Sequence, residues 1–75
     1  MIRFRLRELM ADKTFKGGRV VTLAEIANAT GIHRTTLTKI ANTPGYNATV
    51  ENLDKLCAFF DCELQDLAQY VRRTE

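Results

Sequence analysis

The sequence is poor in the residues that build several kinds of site. Among 75 residues it has one histidine, His33, and two cysteines, Cys57 and Cys62, set in "CAFFDC". That spacing is not CxxC, and no second pair stands elsewhere to complete a zinc site. The expectation is buried, reduced thiols filling a core, with a structural disulfide or a redox switch as the alternative. His33 has no acid or thiol beside it in sequence, and no phosphate loop, HExxH or GxSxG occurs. Catalysis is therefore not expected, nor a metal, a cofactor or a small-molecule ligand. No apolar run approaches the roughly 20 residues that cross a bilayer. The opening "MIRFRLREL" is charged throughout and lacks the apolar stretch of a signal peptide. The expected location is cytoplasmic, away from the membrane.

One further absence is local. The stretch "GIHRTTLTKIAN", residues 31–42, contains no acid. Its polar positions are small hydroxyls, an amide, the histidine and two cations. The rest of the chain is charge-polarised. Residues 1–45 hold eight Lys/Arg against three Asp/Glu, and residues 46–75 hold three against six, giving +5 and −3. A basic half joined to an acidic half suggests one side that meets a polyanion.

The length implies one domain over residues 1–75. A chain of this size buries only about 60% of its unfolded surface, so the core must be efficient. "IRFRL" alternates apolar and basic residues, a strand period, and places a short strand at about residues 2–5. From Leu6 the spacing turns helical, with Leu6, Leu9 and Met10 on one face over about residues 6–13. Gly17-Gly18 marks a loop flanked by Lys16 and Arg19. Thr22, with Glu25 three residues on, forms a capping-box pattern for a second helix over about 23–29. Leu23, Ile26 and Ala27 should face inward. Gly31 ends that helix by permitting a left-handed exit.

The third helix runs over about residues 33–41. At about 100° per residue, Leu37, Ile40 and Ala41 fall on one side, and Arg34, Thr35, Thr38, Lys39 and Asn42 on the other. Pro44-Gly45 breaks it. Thr49 is the expected N-cap of a fourth helix, with Glu51 well placed in its first turn. That helix carries the apolar stripe Val50, Leu53, Leu56, Cys57, Phe60, and Phe59 is read as core too. A last short helix over about 63–68 should point Leu64 and Leu67 inward. Tyr70-Val71 suits a short strand that can pair with "IRF" by edge matching.

Residues 22–42, "TLAEIANATGIHRTTLTKIAN", resemble the helix-turn-helix of the lambda-repressor-like family, the Cro/repressor or XRE type. Ile26-Ala27 match its apolar–alanine pair, Gly31-Ile32 its turn, Leu37 and Ile40 its second-helix aliphatics, and Asn42 the asparagine that often follows. "TVENLDKLCAFFDCELQDL" is similar to the family's fourth and fifth helices, so the resemblance spans about residues 5–68. It is similar in particular to small stand-alone regulators. Four places depart from the family pattern, one of them Thr30, which replaces a more apolar residue. Leu23 stands where glutamine is usual, His33 where serine or threonine is common, and the connection before Thr22 is long.

The resemblance implies an all-α, five-helix fold that binds double-stranded DNA and regulates transcription; one module this small covers little DNA, so a homodimer on DNA is also expected. A major groove about 12 Å wide admits one helix, which must expose donors and acceptors and avoid acids. By family position Arg34, Thr35 and Lys39 are candidates to contact bases, with Thr38 between them. Thr22, His33, Asn42, Tyr46, Thr49, Lys16 and Arg19 are candidates to contact phosphates, which set register but carry no sequence information. Several have plainer readings. Asn42 also suits a helix C-cap, His33 an imperfect N-cap, and Tyr46 a loop-packing aromatic. Arg3, Arg5 and Arg7 suit ordinary solvated charges. The competing function is a protein-interaction module of the same fold, antitoxin-like or anti-repressor.

Overall fold

The computed structural model describes residues 1–72. Five helices and two strands follow one another: β1 (Ile2–Phe4), α1 (Leu6–Gly17), α2 (Leu23–Thr30), α3 (Arg34–Asn42), α4 (Val50–Phe60), α5 (Leu64–Leu67) and β2 (Ala68–Tyr70). The fold is all-α with a terminal ribbon.

The strands pair antiparallel, with Ile2 opposite Tyr70, Arg3 opposite Gln69 and Phe4 opposite Ala68. The expected partner of "IRF" was Tyr70-Val71; the strand starts two residues earlier, and Val71 extends the ladder by donating to the Met1 carbonyl at 2.8 Å. The ribbon ties the two ends of the described chain together. Gly45 then donates to the Ile2 carbonyl at 2.9 Å, which anchors the α3–α4 loop on the outer edge of β1.

α1 is longer than the spacing of its apolar residues suggests. It continues through Thr14, Phe15 and Lys16 to Gly17, and stops where Gly18 turns left-handed at φ 68° and donates back to the Thr14 carbonyl. Lys16 is therefore a helical residue in the last turn, ion-paired to Asp12 four residues earlier at 3.1 Å. The reason lies partly downstream. Val21 N–H donates to the Thr14 hydroxyl at 2.9 Å, so the connection folds back on the end of α1 and buries Val21.

α2 starts as its cap predicts, with Thr22 Oγ1 accepting from Glu25 N–H at 3.1 Å. The reciprocal half of the capping box is absent. The Glu25 carboxylate instead takes both guanidinium nitrogens of Arg19, at 2.9 and 3.1 Å. A bidentate, charge-assisted pair outcompetes one neutral N–H. At the exit, Gly31 sits at φ 76°. An L side chain strongly disfavours that conformation. Thr30, polar at an apolar place of the family pattern, satisfies itself: its hydroxyl donates to the Ile26 carbonyl at 2.7 Å and accepts from Ile32 N–H at 3.2 Å.

The core is built of Phe4, Leu6, Val21, Ile26, Ile32, Leu37, Ile40, Leu56 and Leu67, and contains no buried polar residue. Every helix contributes at least one fully buried aliphatic. Four inward assignments fail. Val50 is 81% exposed and Leu64 55% exposed, while Cys57 and Cys62 are half-buried at the rim rather than within. Of the α4 stripe only Leu56 is fully buried; Leu53, Cys57, Phe59 and Phe60 pack partly exposed against the core. One short helix has only a narrow face against its neighbours, so the outer positions of the stripe spill over the edge.

Candidate nucleic-acid interface

α3 is held by its inner face. Leu37 and Ile40 are buried, and Ala41 is half-buried against them. Arg34, Thr35, Thr38 and Lys39 are all exposed on the other side. The helix thus has the two-sided character expected of it. His33 is its N-cap and is exposed, but its side chain makes no capping bond. The first N–H groups of α3 are left to solvent or to a ligand.

The hydrogen bonding narrows what this face can offer. Thr38 Oγ1 donates to the Arg34 carbonyl at 3.0 Å. With its proton committed, Thr38 presents lone pairs and a methyl group outward. Arg34 and Lys39 form no ion pair among the described residues. Elsewhere in the basic half each of the three acids is taken, Glu8 by Arg3, Asp12 by Lys16 and Glu25 by Arg19. The two cations of α3 therefore keep their full charge for something outside the molecule.

Asn42 ends α3, one residue inside the helix rather than as its cap; Thr43 takes that place. Its side-chain oxygen accepts from Arg7 Nε at 2.9 Å and from Nη2 at 2.8 Å. Arg7 is not the free solvated charge that its sequence context suggests. It instead joins α1 to the end of α3 across 35 positions of sequence, and leaves the Asn42 amide nitrogen pointing its hydrogens elsewhere. No local pattern announces such a bond.

Thr22 and Thr49 cap α2 and α4 in the same way, each hydroxyl oxygen accepting from the N–H three residues on at 3.1 Å. Each hydroxyl proton remains available to donate. Tyr46 is half-buried and packs against the core, in keeping with a loop aromatic. Lys16 and Arg19 are not gathered with α3. They line a cleft with Lys13 and Phe60, to which α3 contributes no residue, and both are neutralised by carboxylates. Lys13 itself lies over the Phe59 ring, 5.4 Å from its centre.

No helix of the described residues is long and apolar enough to cross a membrane. Comparison with curated proteins gives no match. A tight glycine turn between two short helices, with a locked inner face and an acid-free outer face on the second, is the arrangement that the family comparison also finds: the model of the Cro/C1-type HTH DNA-binding domain matches residues 5–72, and the chain belongs to that family.

Proposed function

We propose that the protein binds a specific double-stranded DNA site and regulates transcription, with α3 in the major groove. The observation that carries this reading is the contrast across α3, between Leu37 and Ile40 buried on one side and two unpaired cations with two threonines on the other. Arg34 is suited to take guanine O6 and N7 together, and Lys39 to reach a purine acceptor. Thr35 can donate or accept. Thr38, its proton already used, would accept from adenine or cytosine or lay its methyl on thymine.

The phosphate contacts follow from spare donors. Thr22 and Thr49 offer hydroxyl protons beside helix N-termini, where the helix dipole favours an anion. The Asn42 amide, His33 and Tyr46 would add further donors along the same backbone. Lys16 and Arg19 are the weakest of the set, because a phosphate would have to compete with Asp12 and Glu25. A cytoplasmic location follows from the same reading.

A single module of this size covers about 600–1,000 Å² of surface on DNA, and non-specific contacts alone reach only about 10⁻⁴–10⁻⁶ M. Two copies on half-sites about one helical turn apart would supply the rest. The surface suited to a second copy is apolar. Two shallow grooves share Leu53 and Leu64, one running on to Met1, Ile2 and Tyr46 and the other to Val50. Tyr70, 70% exposed, stands opposite Ile2 on the same face of the ribbon. The same face is what favours the second reading, a module that docks on a different protein.

Selection of bound sequences from a random duplex pool tests both. A regulator returns a two-fold-related site bound with strong salt dependence and two protomers per duplex. Val50→Asp should then give one protomer per duplex without loss of fold. A pool that returns no preferred sequence leaves the protein-docking reading.

A further inference from the structure

Cys57 and Cys62 lie away from α3, in the wall of the groove that also holds Val50, Leu53 and Leu64. Five positions apart, they lie outside the three- and four-residue spacings that align side chains on one helix. The exit of α4 is what joins them. Asp61 adopts the left-handed conformation at φ 51°, the only described non-glycine residue with positive φ. Its N–H donates to the Ala58 carbonyl at 3.3 Å, and the next N–H, of Cys62, donates back to the Cys57 carbonyl at 3.1 Å. This paired return is the Schellman ending of a helix, in which the side chains at its two extremes meet. That contact is ordinarily between two apolar side chains. Here both are thiols, and both line one shallow groove. Both are half-buried, beside the shallow groove of Val50, Leu53 and Leu64, so a small reagent can reach them.

We propose that Cys57 and Cys62 are a disulfide-forming pair, a modification site that a small-molecule disulfide oxidises by exchange, bracing the corner between α4 and α5. The Cys57 thiolate attacks one sulfur of the small disulfide. That S–S bond breaks, and the first small thiolate leaves and is protonated by water. Cys62 then loses its proton to solvent and attacks the Cys57 sulfur of the mixed disulfide, expelling the second small thiolate. Two protein thiols are oxidised by two electrons, and one small disulfide is reduced to two thiols. The order is set by surroundings. Burial, then the charge and hydrogen bond of Cys57, then Asp66 and Glu63 push the Cys62 thiol up from 9.0 to about 11. Cys62 is thus the poorer first nucleophile. Once Cys57 is capped as a mixed disulfide, its charge and hydrogen bond no longer hold the Cys62 proton, and the second step is eased.

The test uses the free 75-residue chain and oxidised glutathione, quenched with an alkylating agent and read by intact mass. The expected product has lost two hydrogens, carries neither alkyl nor glutathione groups, and stays monomeric. Its Tm should rise by roughly 9–18 °C, as closing a short ring implies for a domain of this size, and should return on reduction. Cys57→Ser and Cys62→Ser, each checked for folding by circular dichroism, should keep a single glutathione adduct. Stable double adducts, or disulfide-linked dimers, would overturn the proposal. So would an intramolecular disulfide whose formation lowers Tm, because the native corner would then be strained by the bond rather than arranged for it.

Discussion

The molecule contains two corners built by the same local rules and differing in surface chemistry. α2 and α4 each begin with a threonine cap, Thr22 and Thr49, whose hydroxyl accepts from the third N–H. Each ends at a left-handed residue, Gly31 at φ 76° and Asp61 at φ 51°, before a second short helix. Past the turn they diverge. The first corner leads to α3, with a buried Ile32 under the turn and an acid-free cationic face. The second leads to α5 through Cys62, with Asp61, Glu63 and Asp66 around it and Leu64 facing outward. Backbone geometry alone therefore does not say which corner meets DNA. Surface charge tells them apart: the second corner is acidic and the first is not, and a phosphate is repelled by acids.

The comparison can be broken hardest in the core. Leu37 on α3 and Leu67 on α5 are both fully buried, so Leu37→Ala and Leu67→Ala should each destabilise the fold by about 2–5 kcal/mol in chemical denaturation. Any effect of Leu67→Ala on DNA binding should disappear at temperatures where the variant stays folded. Val50→Ala on the exposed start of α4 should stay within about 0.5 kcal/mol of the parent protein.

Arg34→Ala sharpens the difference in function. It should cost about 1–3 kcal/mol on a selected duplex, much less on a scrambled one at matched salt, and relax preference at one position per half-site. Equal weakening on both duplexes would make Arg34 a phosphate anchor. No weakening on either would move the function to the apolar face.

The two turns offer a subtler contrast. A Cβ at Gly31 would meet nothing within 4 Å, so Gly31→Ala should cost only the backbone penalty, about 1–2 kcal/mol. Asp61→Gly should do the reverse and leave the protein as stable or slightly more so. A larger loss at Gly31 would mean that the turn depends on contacts as well as conformation.

The smallest effects concern charges already satisfied. Lys16→Ala should weaken selected and scrambled duplexes alike, and by less than about 0.5 kcal/mol, since Asp12 holds the ammonium in an exposed pair. At the other corner, Cys62 keeps its proton up to about 11 in the folded protein, against an ordinary 9.0. The unfolded chain releases that proton first, so stability should fall as pH rises between those values. Subtracting the denaturation profile of Cys62→Ser isolates the contribution; identical profiles would remove it.

What the sequence determined by itself is what happens within a few residues. Thr22, Thr49 and Gly31 act on partners three or four positions away, and a cap or a left-handed exit is specified by residue type and spacing. The polar and apolar sides of α3 follow from its period in the same way. The terminal ribbon was legible because strand alternation marked one edge and apolar residues the other. Contacts across the fold were not legible. Arg7 meets Asn42 only because α1 and α3 are packed side by side, and Thr14 receives Val21 only because the connection doubles back. Val50 and Leu64 share the hydropathy of Leu56 and Leu67, yet two are exposed and two are buried. Periodicity names the apolar face of a helix, but the width of that face actually covered depends on how many neighbours surround it. That is a property of the assembled elements, decided only when they pack.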